Sequence, residues 1–294
     1  MSSAPFFSIV VPTRDRPRQL AKCIAALAAL RYPPDRFEVI VVDDGSDEPM
    51  EPIIASFRGS MDVRFLSQSN AGPGAARNFG ASIARGEFLA FTDDDCAPDP
   101  TWLAQFAPRL LAEPACGYGG RTVNSLGQNR FASASQLLID YLYDYFNGPD
   151  GRVPLYASNN LVLPRSAFRS LEGFNATFWG AGGEDRELCD RWVRAGYELR
   201  YEPGAVVYHA HDLDLRGFVR QHFNYGRAAL RFHKVRHRQG GGRFNLEPLA
   251  FYHDLVLYPF ARRTEGRLAM AALLVLAQAA NAAGFLHERV RDGR

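Results

Sequence analysis

The sequence predicts an α/β protein in which helices flank a mostly parallel, Rossmann-like sheet. Short β-branched runs alternate with helical patterns in the first third of the chain, which is typical of a doubly wound sheet. Three of these runs stop at polar clusters, where such sheets bind ligands. The 294 residues, 47% of them apolar, suffice for a sizeable core in one large domain or two small ones.

The first strand is predicted at residues 7–11, because a β-branched run ends there at Pro12. A helix follows whose apolar positions share one face: Leu20, Cys23, Ile24, Leu27 and Leu30. Residues 37–42 predict a second buried strand, which stops at Asp43.

The same pattern continues with strands at 63–66 and 88–92 around a helix at 72–84. The second half is less regular. It predicts strands at 116–124, 156–163, 197–201 and 206–211, and a helix at 184–195. Because parallel strands end at one edge of a sheet, we expect the polar clusters 13–16, 43–46 and 93–95 to share a rim.

The acidic triplet Asp93, Asp94 and Asp95 directly follows a predicted strand. Two carboxylates one residue apart suit a divalent cation that bridges phosphates. A solvated turn is the alternative, but clustered like charges cost free energy unless a cation offsets them. Asp43 and Asp44 also follow a strand. They could belong to a turn, or they could accept hydrogen bonds from a base or ribose.

Four motifs carry a resemblance to a known family: SIVVPT at 8–13, VVDDGS at 41–46, NAGPGAARN at 70–78 and GEFLAFTDDD at 86–95. Together, in order and spacing, they resemble the family 2 glycosyltransferases over about residues 6–211. The resemblance implies a GT-A fold and an inverting sugar transfer of the hexosyltransferase type. It also implies a UDP- or similar nucleotide-sugar donor and Mg²⁺ or Mn²⁺ as cofactor.

The resemblance also implies roles for single residues in the nucleotide-binding part. Pro12, Thr13 and Asp15 would line the nucleoside pocket, and Asp43 or Asp44 would bind the base.

Further along the same motifs, Arg77 would lie near the base and the phosphates. Asp93 and Asp95 would form the D-x-D pair that contacts ribose and metal, with Asp95 the more direct metal ligand. Asp94 stands between them, so the metal-proximal pair could shift by one residue.

A general base is expected at Asp185, because an inverting transfer needs a group that deprotonates the acceptor hydroxyl. The segment 182–185 resembles the family's Glu-Asp motif, in which Glu184 would orient the acceptor or support the loop. The alternative is that both acids cap a helix and favour its dipole.

Two histidines end the predicted strand 206–211, and alternation would place both on one face. His209 is the favoured additional metal ligand and His211 the close alternative. Asn160 belongs to a segment that resembles the family's acceptor side, and Trp179, in a Gly-rich loop, is a candidate platform for a sugar ring. A core tryptophan is the alternative for Trp179.

A basic segment at 215–246 contains no acidic residue, and a weakly apolar segment at 268–286 follows it. We expect peripheral contact with an anionic membrane and a lipid-linked or saccharide acceptor, rather than nucleic acid. A buried helix or one that forms a homodimer is the alternative for 268–286.

The predicted organisation is a catalytic domain at 1–212, with a nucleotide half of about 1–98 and an acceptor half of about 99–212. A helical extension follows at 213–294. The N-terminus shows no signal-peptide pattern, and the four widely spaced cysteines indicate reduced thiols. We therefore expect a location in the cytoplasm, at the cytoplasmic face of the membrane.

Two other classes compete with a transferase. A non-catalytic binding or scaffold protein on the same fold would be favoured by loss of the D-x-D or base positions, which are present. A sugar-nucleotide pyrophosphorylase would need a Gly-rich phosphate loop after the first strand, where residues 12–16 contain no glycine.

Overall fold

The computed structural model describes residues 4–148, 153–178, 182–240 and 246–291. They divide into two compact units. The first comprises the described residues of 1–123, 153–179 and 184–210, and the second those of 124–152, 180–183 and 211–294.

The strands of the described residues belong to one sheet. Their bounds are β1 Phe7–Thr13, β2 Phe37–Asp43, β3 Val63–Ser67, β4 Phe88–Phe91, β5 Cys96–Pro98, β6 Gly117–Asn124, β7 Leu161–Pro164 and β8 Leu199–His209. Their order is β3-β2-β1-β4-β7-β6-β8-β5. The first four pair in parallel, whereas β7 runs antiparallel to β4 and β6, and β5 runs antiparallel to β8.

Helices flank the sheet in the first unit and make up most of the second. In chain order, those of the described residues are α1 Pro17–Ala28, α2 Glu51–Ala55, α3 Pro73–Ser82, α4 Trp102–Ala112, α5 Arg130–Phe146, α6 Arg165–Ser170, α7 Glu184–Arg194, α8 Leu215–Arg238, α9 Leu249–Ala261 and α10 Arg267–Arg291.

The core of the first unit lies against the parallel strands. Every residue of β1, β2 and β4 is buried, as expected for strands that are covered on both faces. The predicted face of α1 is confirmed for Leu20, Cys23, Ile24 and Leu27, which are buried, whereas Leu30 lies beyond the end of the helix and is half-buried. All four cysteines of the chain are described, buried and unpaired.

Three predicted strands were wrong. The segments 197–201 and 206–211 form one continuous strand, β8, which runs through Pro203 and Gly204 and ends at His209. Residues 156–163 are not one strand, because a 3₁₀ turn at Ser158–Asn160 precedes β7.

The second unit is helical, and its last two long helices pack backbone to backbone. Gly226 of α8 and Gly284 of α10 allow this approach. A Cβ added to Gly226 would lie 1.8 Å from the Asn281 oxygen, and one added to Gly284 would lie 1.9 Å from the Phe223 oxygen. Among the described residues, α10 is the helix that is long and apolar enough to cross a membrane, by length and composition.

Candidate active site

Polar residues from separate strands meet at one edge of the first unit's sheet. The parallel register sets Thr13 of β1 opposite Asp43 of β2, and Asp43 opposite Ser67 of β3. From the end of β1, the Thr13 hydroxyl donates to Asp94 Oδ2 at 2.8 Å. The expected rim of polar strand ends is therefore present.

Each carboxylate of the acidic triplet has a different partner. Asp93 accepts from Arg77 Nη2 at 2.7 Å, and Asp94 accepts from the Thr13 hydroxyl. Asp95 Oδ1 lies 3.2 Å from His209 Nε2. Burial raises the pKa of Asp94 to about 6, although a nearby guanidinium lowers it.

Arg16 is a site residue that the sequence prediction missed. Its Nη1 lies 3.2 Å from Asp94 Oδ1 and 3.0 Å from Asp95 Oδ2, and 48% of its side chain remains exposed. The signal available in the sequence was its place directly after β1, within the polar cluster 13–16.

Arg77 connects the triplet to the acids at the start of α7. Its Nη1 donates to Glu184 Oε1 at 3.1 Å while its Nη2 binds Asp93, and its guanidinium lies 5.5 Å from the centre of the Phe174 ring. Arg77 and Glu184 are both buried, and Arg77 Nε and Glu184 Oε2 have no hydrogen-bond partner. The expected contact of Arg77 with phosphates stays a prediction; in this structure its guanidinium binds carboxylates.

Asp185 is half-buried beside this network. Its carboxylate accepts from the Arg186 amide at 2.7 Å and from the Ser158 backbone. Burial and the neighbouring charge of Glu184 raise the pKa of Asp185 to about 6, which the two amides and Arg77 partly oppose. A carboxylate with a modestly raised pKa is suited to accept a proton near neutral pH.

The acids after β2 hold loops together. Asp43 Oδ1 accepts from the Ser46 amide at 3.0 Å, and Asp44 accepts from the Ala71 and Gly72 amides, each at 2.8 Å, ahead of α3. Asp43 and Asp44 are both buried.

The remaining residues predicted for the nucleoside pocket lie beside this loop. Asp15 is exposed, has φ of 53°, and accepts from the Asp47 amide at 2.8 Å. Pro12 is buried in β1, opposite Val42. The structure thus brings the predicted nucleoside residues to the same strand ends.

His209 and Asp95 form the donor set that fits a divalent cation. An imidazole nitrogen beside a carboxylate suits a transition metal such as Mn²⁺, whereas Mg²⁺ prefers oxygen ligands alone. Cys96 Sγ belongs to the same cluster, 3.8 Å from Asp95 Oδ1, but a sulfur is a poor ligand for either ion. His211 lies two residues beyond the end of β8, so strand alternation does not extend to it, and its role as the alternative metal ligand stays a prediction.

The two predicted acceptor residues have different outcomes. Asn160 is fully buried; its amide donates to the Arg121 and Ala205 carbonyls, and its oxygen accepts from Trp102 Nε1 at 2.8 Å. It therefore ties core elements together and presents no open surface to a sugar. Trp179 lies outside the described residues.

Two family models match the chain. The model described as "Glycosyl transferase family 2" matches residues 8–171, which is more than half of the chain. The model described as "N-terminal domain of galactosyltransferase" matches residues 145–212. Together the two matches cover every residue at this site.

Curated relatives agree with these matches. A pre-mycofactocin glycosyltransferase of Mycobacterium tuberculosis (strain ATCC 25618 / H37Rv) is 33% identical over 228 residues, which is 76% of this chain and 46% of the relative. A hyaluronan synthase of Pasteurella multocida is 28% identical over 240 residues, 69% of this chain and 24% of the relative. The chain thus spans less than half the length of these relatives.

Solved structures resemble the whole chain. A mannosyltransferase, PcManGT from Pyrobaculum calidifontis in complex with GDP-Man and Mn²⁺, has a TM-score of 0.63 and 18% identity over 96% of this chain and 76% of that one. S. aureus TarS 1–349 in complex with UDP has a TM-score of 0.57 and 18% identity over 98% and 92%. Identities this low show the fold alone, and they confirm the predicted GT-A α/β class.

Proposed function

Because the chain belongs to glycosyl transferase family 2, we propose that it is an inverting glycosyltransferase of the hexosyltransferase type. The proposed donor is a nucleotide sugar, a UDP-sugar in the first instance, and the acceptor is a saccharide or a lipid-linked saccharide. The proposed catalytic domain is 1–212, with 213–294 as an extension. The names of relatives that synthesise hyaluronan and chondroitin support a role in polysaccharide assembly.

The observation that carries the proposal is the bridge made by Arg77. It binds Asp93 at 2.7 Å and Glu184 at 3.1 Å, so that the acidic triplet and the Glu184–Asp185 pair belong to one network. Carboxylates that hold a diphosphate through a cation must lie near the proton acceptor for a sugar to pass from the diphosphate to a hydroxyl.

In the proposed reaction, the oxygen of the acceptor hydroxyl attacks the anomeric carbon, and Asp185 accepts the proton of that hydroxyl. Arg77 holds Glu184 in place, and the negative charge of Glu184 helps to raise the pKa of Asp185, so that Asp185 accepts a proton more readily. Asp95 and His209 would hold the divalent cation, with Asp93 beside them. When bound, that cation would offset the charge that develops on the diphosphate leaving group.

The metal is proposed as Mn²⁺ or Mg²⁺, and the donor set favours Mn²⁺. Asp95 Oδ1 lies 3.2 Å from His209 Nε2, and this pair supports a divalent cation. The Mn²⁺ bound by the structurally similar PcManGT agrees with it.

Product formation across a panel of UDP-, GDP- and dTDP-sugars, with Mn²⁺ or Mg²⁺, tests the proposal. We expect Asp95→Asn and Asp185→Asn to abolish transfer, and Asp185→Asn to keep its affinity for the donor. Asp35→Asn, at a carboxylate 79% exposed, is the matched control and should leave the rate unchanged.

Transfer that survives both site substitutions would rule out the proposed mechanism. Donor binding without turnover by the unsubstituted protein, with any sugar of the panel, would favour the alternative of a non-catalytic scaffold.

A further inference from the structure

One face of α10 is exposed and apolar along its whole length. Its exposed apolar residues, which we call the α10 stripe, are Leu268, Ala269, Ala272, Val275, Ala279, Ala282, Ala283, Leu286 and Val290. Leu268 is 76% exposed, Leu286 58% and Val290 61%. Steps of three and four residues place them on one side of the helix. The other exposed residues of α10, Arg267, His287, Arg289 and Arg291, lie near its two ends.

The opposite face of α10 is already packed within the second unit. Its buried residues include Met270, Leu274 and Ala277, and Gly284 lies against the backbone of α8. Near the end of the helix, the buried Glu288 accepts from Arg227 and Arg231 of α8, each at 2.8 Å. Close backbone packing and a buried ion pair therefore join α8 and α10, and the stripe faces away from that contact.

This packing argues against α10 as a membrane-spanning helix, although its length of roughly 37 Å would suffice. The basic residues of α8 are Arg216, Arg220, Arg227, Arg231, Lys234, Arg236 and Arg238. A spanning α10 would draw α8 into the hydrocarbon with it, where each cation is costly. The stripe can instead enter a bilayer from the side, with α10 parallel to the surface.

Charge decides between a bilayer and a second copy of the chain. Arg263 precedes α10 and Arg267 begins it, with the exposed Glu265 between them, and Arg289 and Arg291 lie at its end. The acid within α10, Glu288, is buried and already paired. With Glu265 counted, each end still carries a net positive charge, so a second copy would bring like-charged ends together in either orientation, which disfavours that contact. Anionic lipid headgroups attract both ends at once.

We propose that the α10 stripe docks in the plane of an anionic lipid bilayer. The apolar side chains would lie at the boundary of the acyl chains, and the arginines at the two ends would lie among the headgroups. This surface does not depend on the proposed sugar transfer, so binding to lipid and turnover can each fail alone.

Flotation of the full chain with vesicles tests the proposal. We expect it to float with phosphatidylcholine vesicles that contain phosphatidylglycerol, and to bind pure phosphatidylcholine or high-salt samples much less. The variant Leu268→Gln/Val275→Gln/Leu286→Gln should lower the partition coefficient by roughly tenfold or more, since one leucine-sized side chain is worth about that factor.

Two control variants separate the stripe from general effects. Leu111→Gln, at a leucine of α4 that is 48% exposed, should bind vesicles as the unsubstituted chain does. Arg267→Gln/Arg289→Gln should weaken binding and reduce its dependence on salt, and circular dichroism verifies that each variant is folded.

Three results would overturn the proposal. The first is unsubstituted chain that does not float with anionic vesicles. The second is binding that resists alkaline carbonate extraction, which indicates a spanning helix. The third is a dimeric mass in light scattering that the stripe variant converts to a monomer, because a second copy would then cover the stripe.

Discussion

Replacing Arg77 by methionine tests whether the bridge between the acidic triplet and α7 holds the site together. The Arg77 side chain is 4% exposed and forms ion pairs with Asp93 and Glu184. In Arg77→Met, Glu184 becomes an unpaired acid with a side chain 7% exposed, whereas Asp93 at 30% keeps access to water. Breaking such a buried pair costs about 3–5 kcal/mol, and most of that cost belongs to Glu184.

Chemical denaturation followed by tryptophan fluorescence measures this loss, because Trp102 and Trp192 are buried in the first unit. The matched control is Arg58→Met, whose pair with Glu51 is about half exposed and worth about 0–1 kcal/mol. Adding Glu184→Gln to Arg77→Met should restore part of the lost stability, since a neutral amide replaces the stranded charge.

The pH dependence of the Arg77→Met defect distinguishes electrostatics from lost packing. An unpaired buried carboxyl takes up a proton more readily, so its pKa in the folded variant is raised and the defect should shrink as pH falls. A loss below about 1 kcal/mol, or one that is unchanged by pH and by Glu184→Gln, would refute the assignment of Arg77 as the electrostatic bridge.

Three other predictions concern the proposed base and the contact between α8 and α10. Because burial and Glu184 raise the pKa of Asp185 to about 6, kcat/KM for transfer should fall about tenfold per pH unit below that value; an acid limb far below it would contradict the role of base. Gly284→Ala should destabilise the α8–α10 contact by about 1–3 kcal/mol in hydrogen exchange, whereas Gly59→Ala, where a Cβ meets nothing within 4 Å, should not. Burial opposes ionisation of Glu288, yet Arg227 and Arg231 lower its pKa below the ordinary value of 4.5. The stabilisation that ionised Glu288 gives to the α8–α10 contact is therefore present above pH 4.5 and is lost as the pH falls through the folded pKa. Glu288→Gln should abolish that acid sensitivity, as measured by hydrogen exchange of α10.

The parallel half of the sheet could be predicted because its signal is local. β1, β2 and β4 are buried throughout, and a proline or an aspartate lies within two residues of the end of each, so apolar composition and these breaker residues together specify the strands. β8 could not be predicted as one strand, because Pro203 and Gly204 normally end strands. The register of β5 on β8 covers only Val207 to His209, so on that side the missing amide of Pro203 costs no ladder hydrogen bond.

The acidic residues of the candidate site could be predicted from the sequence, but their ion-pair partners could not. Strand ends placed Asp93, Asp94 and Asp95 at the rim from local sequence alone. One arginine partner of the triplet is distant, since Arg16 lies 78 positions before Asp94, whereas Arg77 lies 16 positions before Asp93. The link from Arg77 to Glu184 spans 107 positions. No spacing rule reaches across such separations, so Arg16 was missed.

The partners of the triplet also change what the triplet implies. Three adjacent carboxylates repel one another, and in the sequence this repulsion favours a metal. The protein itself offsets part of their negative charge. Arg77 pairs with Asp93, Arg16 pairs with Asp94 and Asp95, and His209 lies beside Asp95. A divalent cation at Asp95 would therefore compete with Arg16, whose side chain is half exposed, rather than with the buried Arg77. The pairing of Asp95 with His209, rather than the clustering of charge, therefore supports the proposal of a metal at this site.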